Sequence, residues 1–197
     1  MLKYLNSDMR NVFRYLPYGI IMGLIMAVVL GTINRLLVKK LKQPLPVMSG
    51  TCFFMYLMIM ACITFLSRES GTRQGIDLEL FSTWGINDRN NAYVIENILL
   101  FIPYGFVCAW FLKSARSFWV CTFYGIMTST IIEYLQMMTE RGYFQVDDIL
   151  TNMLGSMIGY FIYRLLLHNR KTEEQKNAVV VVLLSLLTVT ALLIRFI

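Results

Sequence analysis

Charge is scarce in this sequence. Only 15% of its 197 residues are Asp, Glu, Lys or Arg, against 57% hydrophobic residues and a mean hydropathy of +0.58. That balance excludes an ordinary soluble domain and points to a membrane protein. The length leaves little room for a second domain, so one compact bundle is expected. The formal charge is +6, but most basic residues flank apolar runs, as membrane-boundary residues do, which argues against a nucleic-acid partner. Histidine is reduced to His168, which sits beside a membrane boundary, away from the acids, and reads as an interfacial residue. Cys52, Cys62, Cys108 and Cys121 lie inside apolar segments at spacings that fit neither a metal site nor an extracellular disulfide framework. They read as small buried hydrophobes. A nucleophile motif, a phosphate-cradling glycine loop and a Cys/His metal spacing are likewise missing.

What is present is apolar length. A transmembrane helix needs about 20 mostly apolar residues, and six stretches qualify: 17 to 36, 47 to 66, 93 to 112, 118 to 138, 148 to 167 and 178 to 197. The expected fold is therefore an all-α, polytopic transmembrane helical bundle of about six spans, with residues 17–197 as a single domain. Ahead of it, Leu2, Leu5, Met9, Val12, Phe13 and Leu16 recur at helical spacing opposite Lys3, Arg10 and Arg14. That pattern predicts an interfacial amphipathic helix over 1–16, retained in the mature chain, rather than a signal peptide. The thirteen methionines serve as adaptable packing groups.

Orientation follows from the basic residues. With the loop after the first span inside, ten Lys and Arg fall inside (Arg35, Lys39, Lys40, Lys42, Lys113, Arg116, Arg164, Arg170, Lys171 and Lys176), against eight outside, three of them in the N-terminal tail. The short inner loops carry the excess, so both termini and the 67 to 92 loop are expected outside. Alternating spans then bring Glu96 and Asn97, Glu133 and Gln136, and Asp148 and Asn152 to the same outer side. Glu133 lies roughly 22 Å along its helix from Phe118, inside a hydrocarbon core of about 30 Å.

Spacing sharpens the grouping. Ser129, Glu133, Gln136 and Glu140 share one helix face, and Asp148, Asn152, Gly155 and Gly159 share a face of the next. A connection of about nine residues makes these helices antiparallel neighbours, and the stripes are expected to face each other. Gly155 and Gly159 have the small-xxx-small spacing that lets membrane helices approach closely. Pro103 is expected to kink the third helix.

Two readings of these polar groups stand side by side. Asn, Gln and Gly between membrane helices serve as interhelical glue and packing. A charged side chain at a helix centre costs about 2.5 to 3.5 kcal/mol on insertion scales, which makes Glu133, Asp148 and Arg141 functional candidates, or else members of a satisfied ion-pair network. Asp147 also fits a simple helix N-cap. A catalytic alternative uses Glu133 with Asp147 or Asp148 as general acid and base, or as oxygen ligands of a divalent cation; no other cofactor is expected.

The segments "ENILLFIPYGF", "IIEYLQ" and "RGYFQVDDILTNMLGSMIGY", in this order, resemble the VanZ-like family of bacterial membrane proteins. "FLSRESGTRQGIDLELFSTW" is similar to the loop that precedes them there, and the resemblance spans about 47–167. It carries the family pattern onto Arg68, Glu96, Asn97, Pro103, Gly105, Glu133, Gln136, Arg141, Asp147, Asp148, Asn152, Gly155 and Gly159. Two positions depart from the pattern: Gln145 stands where an acid is frequent, and Leu80 where a proline is usual.

The resemblance implies a multi-pass protein of the bacterial cytoplasmic membrane that confers resistance to teicoplanin and related lipoglycopeptides by lowering antibiotic attachment at the cell surface. The expected ligand-binding set is Arg68, Glu96, Asn97, Glu133, Gln136, Arg141, Asp147, Asp148 and Asn152. Guanidinium groups beside carboxylates suit an amphiphile with a charged head, such as a cell-wall lipid precursor or the antibiotic itself. Membrane lipids are the other expected partners, and an enzyme acting on an envelope lipid or glycan is the alternative.

Overall fold

A computed structural model of the chain describes residues 1–4, 13–37, 44–66, 68, 70–71, 75–168, 172, 177 and 180. Five long helices dominate it: α1 (Leu16–Leu36), α2 (Val47–Ala61), α3 (Asp88–Phe111), α4 (Phe118–Met138) and α5 (Val146–Leu166). Strands β1 (Ile76–Asp77) and β2 (Phe144–Gln145) pair in parallel, Ile76 opposite Phe144 and Asp77 opposite Gln145. This pairing fixes the polarity of the bundle, because it brings the connection between α2 and α3 to the same end as the connection between α4 and α5.

The protein is an all-α membrane bundle. Four helices are long and apolar enough to cross a bilayer: Phe13–Leu36, Val47–Leu66, Asp88–Phe111 and Val146–Leu166. The second of these includes a π-helical turn, Cys62–Leu66, that continues α2. The run expected at 118 to 138 forms α4, also 21 residues long; it is not among those four, and it buries Thr122, Ser129, Glu133 and Gln136. The span expected at 178 to 197 lies outside the described residues, apart from Val180. Half of the interfacial helix expected over 1–16, residues 5–12, does too; Phe13–Tyr15 form one 3-10 turn ahead of α1.

Helix α3 starts at Asp88 rather than 93 because Asn87 caps it, its side chain accepting from the amides of Arg89 and Asn90 at 3.0 and 2.9 Å. The core lies along α3 and α5, where Phe101, Trp110 and Tyr163 are fully buried. Lipid supplies no hydrophobic drive between helices, so close approach of backbones does the packing. A Cβ at Gly105 would overlap the Ser156 backbone of α5. In the opposite direction, a Cβ at Gly155 or Gly159 would overlap the carbonyls of Ile98 and Ile102 on α3. The glycine half of the α5 stripe thus faces α3, not α4 as the spacing had suggested. Pro103 lies inside α3 and leaves the carbonyl four residues back without its helical donor. The Tyr56 hydroxyl of α2 donates to the Leu100 carbonyl in the same turn.

Candidate functional site

The polar residues of α3, α4 and α5 meet at the end of the bundle where β1 and β2 pair. The lowest layer is Asn152 on α5, whose Nδ2 donates to Ser129 Oγ on α4 at 2.8 Å. Its Oδ1 is buried without a hydrogen-bond partner among the described residues. One turn further out on each helix stand Asp148 and Glu133, the latter only 3% exposed. Glu133 Oε2 accepts from the Gln145 amide at 3.3 Å, and Asn97 of α3 lies beside the Asp148 carboxylate. The two carboxylates lie within electrostatic reach of each other. The Arg68 guanidinium acts on both and counters part of the cost of burying two acids side by side. Among the described residues no Arg or Lys comes within salt-bridge distance of either carboxylate; at the start of α3 the Met1 amino group pairs with Asp88.

Gln136 ties this layer to the rim. Although only 1% exposed, it is satisfied at both ends: Oε1 accepts from Arg68 Nη1 at 3.3 Å, and Nε2 donates to the Thr64 carbonyl at 3.0 Å. Thr64 belongs to the π-helical turn, whose irregular winding turns carbonyls out of the helical ladder. The Phe65 carbonyl in the same turn accepts from Arg141 Nη1, which also reaches the Arg68 carbonyl at 3.2 Å. Arg141 is brought there by the end of α4. The Arg141 and Glu140 amides donate back to the Gln136 and Met137 carbonyls, with Glu140 at φ 55°, a Schellman closure with a glutamate in the usual glycine place. Arg141 therefore braces the α2 terminus, and Glu140 ends exposed, off the stripe. Glu96 is half-buried on α3, one residue before Asn97.

Asp147 has another task than capping. The N-cap of α5 is Gln145, and Asp147, buried in the first turn, holds the loop that follows β1. Its Oδ1 accepts from the Phe81 amide at 2.6 Å; its Oδ2 accepts from the Thr83 amide at 3.0 Å and the Ser82 hydroxyl at 3.4 Å. Asp77 completes this roof by accepting from the Glu79 amide at 3.0 Å, the Ser82 hydroxyl at 3.1 Å and Gln145 Nε2 at 3.4 Å. The Glu79 amide, aided by Ser82 and Gln145, holds the Asp77 carboxyl below the usual carboxylate range. Sequence reasoning passed over Asp77, Ser82, Thr83 and Gln145 as roof residues. The available signal was Asp77 set between the apolar Ile76 and Leu78 of the outer loop.

Among the described residues no group of three or more His, Cys, Asp or Glu stands close enough to hold a metal ion. The arrangement suits the head of an amphiphile: buried carboxylates for a cationic or hydroxyl-bearing group and a guanidinium at the rim for an anionic one. The profile of the VanZ/LLP1 family matches residues 53–167, more than half of the chain. No curated protein and no solved structure matches.

Proposed function

The chain belongs to the VanZ/LLP1 family, and from that premise we propose that it protects bacteria from lipoglycopeptide antibiotics such as teicoplanin at the outer face of the cytoplasmic membrane. In this reading the polar site at the β1–β2 end binds the head of an amphiphile, either a lipid-linked cell-wall precursor or the antibiotic, and lowers attachment of the drug. One observation supports it above the rest: Glu133 and Asp148 are buried together on neighbouring helices with the Arg68 guanidinium acting on both. A pair of acids in a membrane helix bundle is costly and marks function by default. The outward placement rests on the basic residues of the opposite loops.

The test uses the whole chain in lipid nanodiscs, with a lipid-linked cell-wall precursor and teicoplanin as separate probes, read by native mass spectrometry. Saturable binding of one of them, weakened at least about tenfold by Glu133→Gln (about 1.4 kcal/mol) with the bound mass unchanged, is the expected result. A changed precursor mass would replace binding with the enzymatic reading, and absence of binding by both probes would overturn the proposal.

A further inference from the structure

The loop from β1 to the start of α3 is largely apolar on its outer side, with Glu79 the one exposed charge among residues 76–86. Ile76, Leu78, Leu80, Phe81, Trp84 and Ile86 are 65, 64, 58, 76, 56 and 65% exposed. A patch of that kind facing water is unusual for a soluble surface. Its inner side is polar: Ser82 and Asp77 turn toward the site, and Thr83 is buried. Every second amide from 79 to 85 is satisfied from within. The Glu79 amide donates to Asp77, the Phe81 and Thr83 amides to Asp147, and the Gly85 amide to Asn91 Oδ1 at 2.7 Å. Ile76 and Asp77 are paired to β2.

That combination is what a segment needs to leave water. Irregular backbone is expensive in lipid because its amides lose their partners, and here the carboxylates of Asp77 and Asp147 and the amide of Asn91 supply them in advance. Position names the occupant. β2 runs directly into the first residue of α5, a membrane-crossing helix, so the loop lies at the level where the bundle meets the bilayer edge. Exposed apolar residues of α4, Leu135 and Met138, run to the same end, and Tyr143 continues them beside Gly75. Trp84 is the side chain type that favours this boundary.

We propose that residues 76–86 form a lip that inserts Leu78, Leu80, Phe81 and Trp84 into the interfacial region of the leaflet surrounding the β1–β2 end. The lip is independent of what the polar site binds. It places lipid at the edge of the roof held by Asp147 and Asp77.

Spin labels at Phe81→Cys and Trp84→Cys, in a Cys52→Ala background and in nanodiscs of phosphatidylglycerol and phosphatidylethanolamine, test this through collision with oxygen and with a water-soluble nickel chelate. Labels at both positions should collide with oxygen several-fold more than with the chelate, and a label at Ser114→Cys on the opposite connection should show the reverse preference. Preference for the chelate at 81 and 84 would put the loop in water and overturn the lip. Shielding from both reagents, or broadening between labels of two copies, would mean a protein covers it and would equally overturn it. Should the labelled variants fold poorly, quenching of tryptophan fluorescence by brominated lipid gives a second readout. Quenching of the unlabelled chain should fall in Trp84→Phe, and an unchanged value would contradict insertion.

Discussion

The Phe81 amide donates to Asp147 Oδ1 at 2.6 Å across 66 positions of sequence. This bond and its neighbour from Thr83 make one carboxylate the anchor of the whole outer loop. It is a neutral donor meeting a charged acceptor, worth about 1.5 to 3 kcal/mol on average.

Asp147→Ala should therefore free the loop while leaving α5 folded. Amide hydrogen exchange at 79–85 is expected to speed up by at least about tenfold, for a loss on the order of 2 kcal/mol, and Asp147→Asn should fall between. Unchanged exchange in the alanine variant would remove Asp147 as the anchor.

The glycine seam makes a second prediction by contrast. Gly105→Ala and Gly159→Ala push a methyl group into the backbone of the facing helix and should each destabilise the bundle by about 1 to 3 kcal/mol or more. A Cβ at Gly31 meets nothing within 4 Å, and Gly31→Ala should be neutral or stabilising by up to about 1 kcal/mol from helix propensity. Thermal unfolding in one detergent compares the three variants. Equal behaviour would mean that α3 and α5 are not in backbone contact.

How much of this was legible in the sequence depends on the range of the interaction. Runs 47 to 66, 118 to 138 and 148 to 167 stand out by apolar length alone, and the structure places α2 with its π-helical turn, α4 and α5 there. The Asn152 to Ser129 contact follows from spacing, since each residue stands one turn from an acid on the same face. Spacing does not say which neighbour a stripe meets, so the assignment of Gly155 and Gly159 to α4 failed where backbone approach favoured α3. Adjacency concealed the difference between Asp147 and Asp148. A rotation of about 100° per residue sends one carboxylate to Asn97 and the other to the loop. Asp77 was illegible because its partners come from a turn and from β2, a pairing that no periodicity encodes.

Orientation in the membrane makes a third prediction. In intact cells, a cysteine at Ser70, exposed in the loop between α2 and α3, should react with an impermeant thiol reagent, and one at Ser114 should react only after the membrane is opened. The reverse pattern would turn the site toward the cytoplasm.

The claim that Glu133, Asp148 and Arg68 form a working site, and not only a satisfied buried network, is met most directly by a resistance measurement. Cells making the wild-type chain and Glu133→Gln at matched membrane abundance are compared for the teicoplanin concentration that stops growth. Gln keeps an acceptor for the Gln145 amide and removes the carboxyl group, so abundance and unfolding temperature should stay near wild type while protection is lost. Protection retained in full by Glu133→Gln, at equal abundance, would contradict the account.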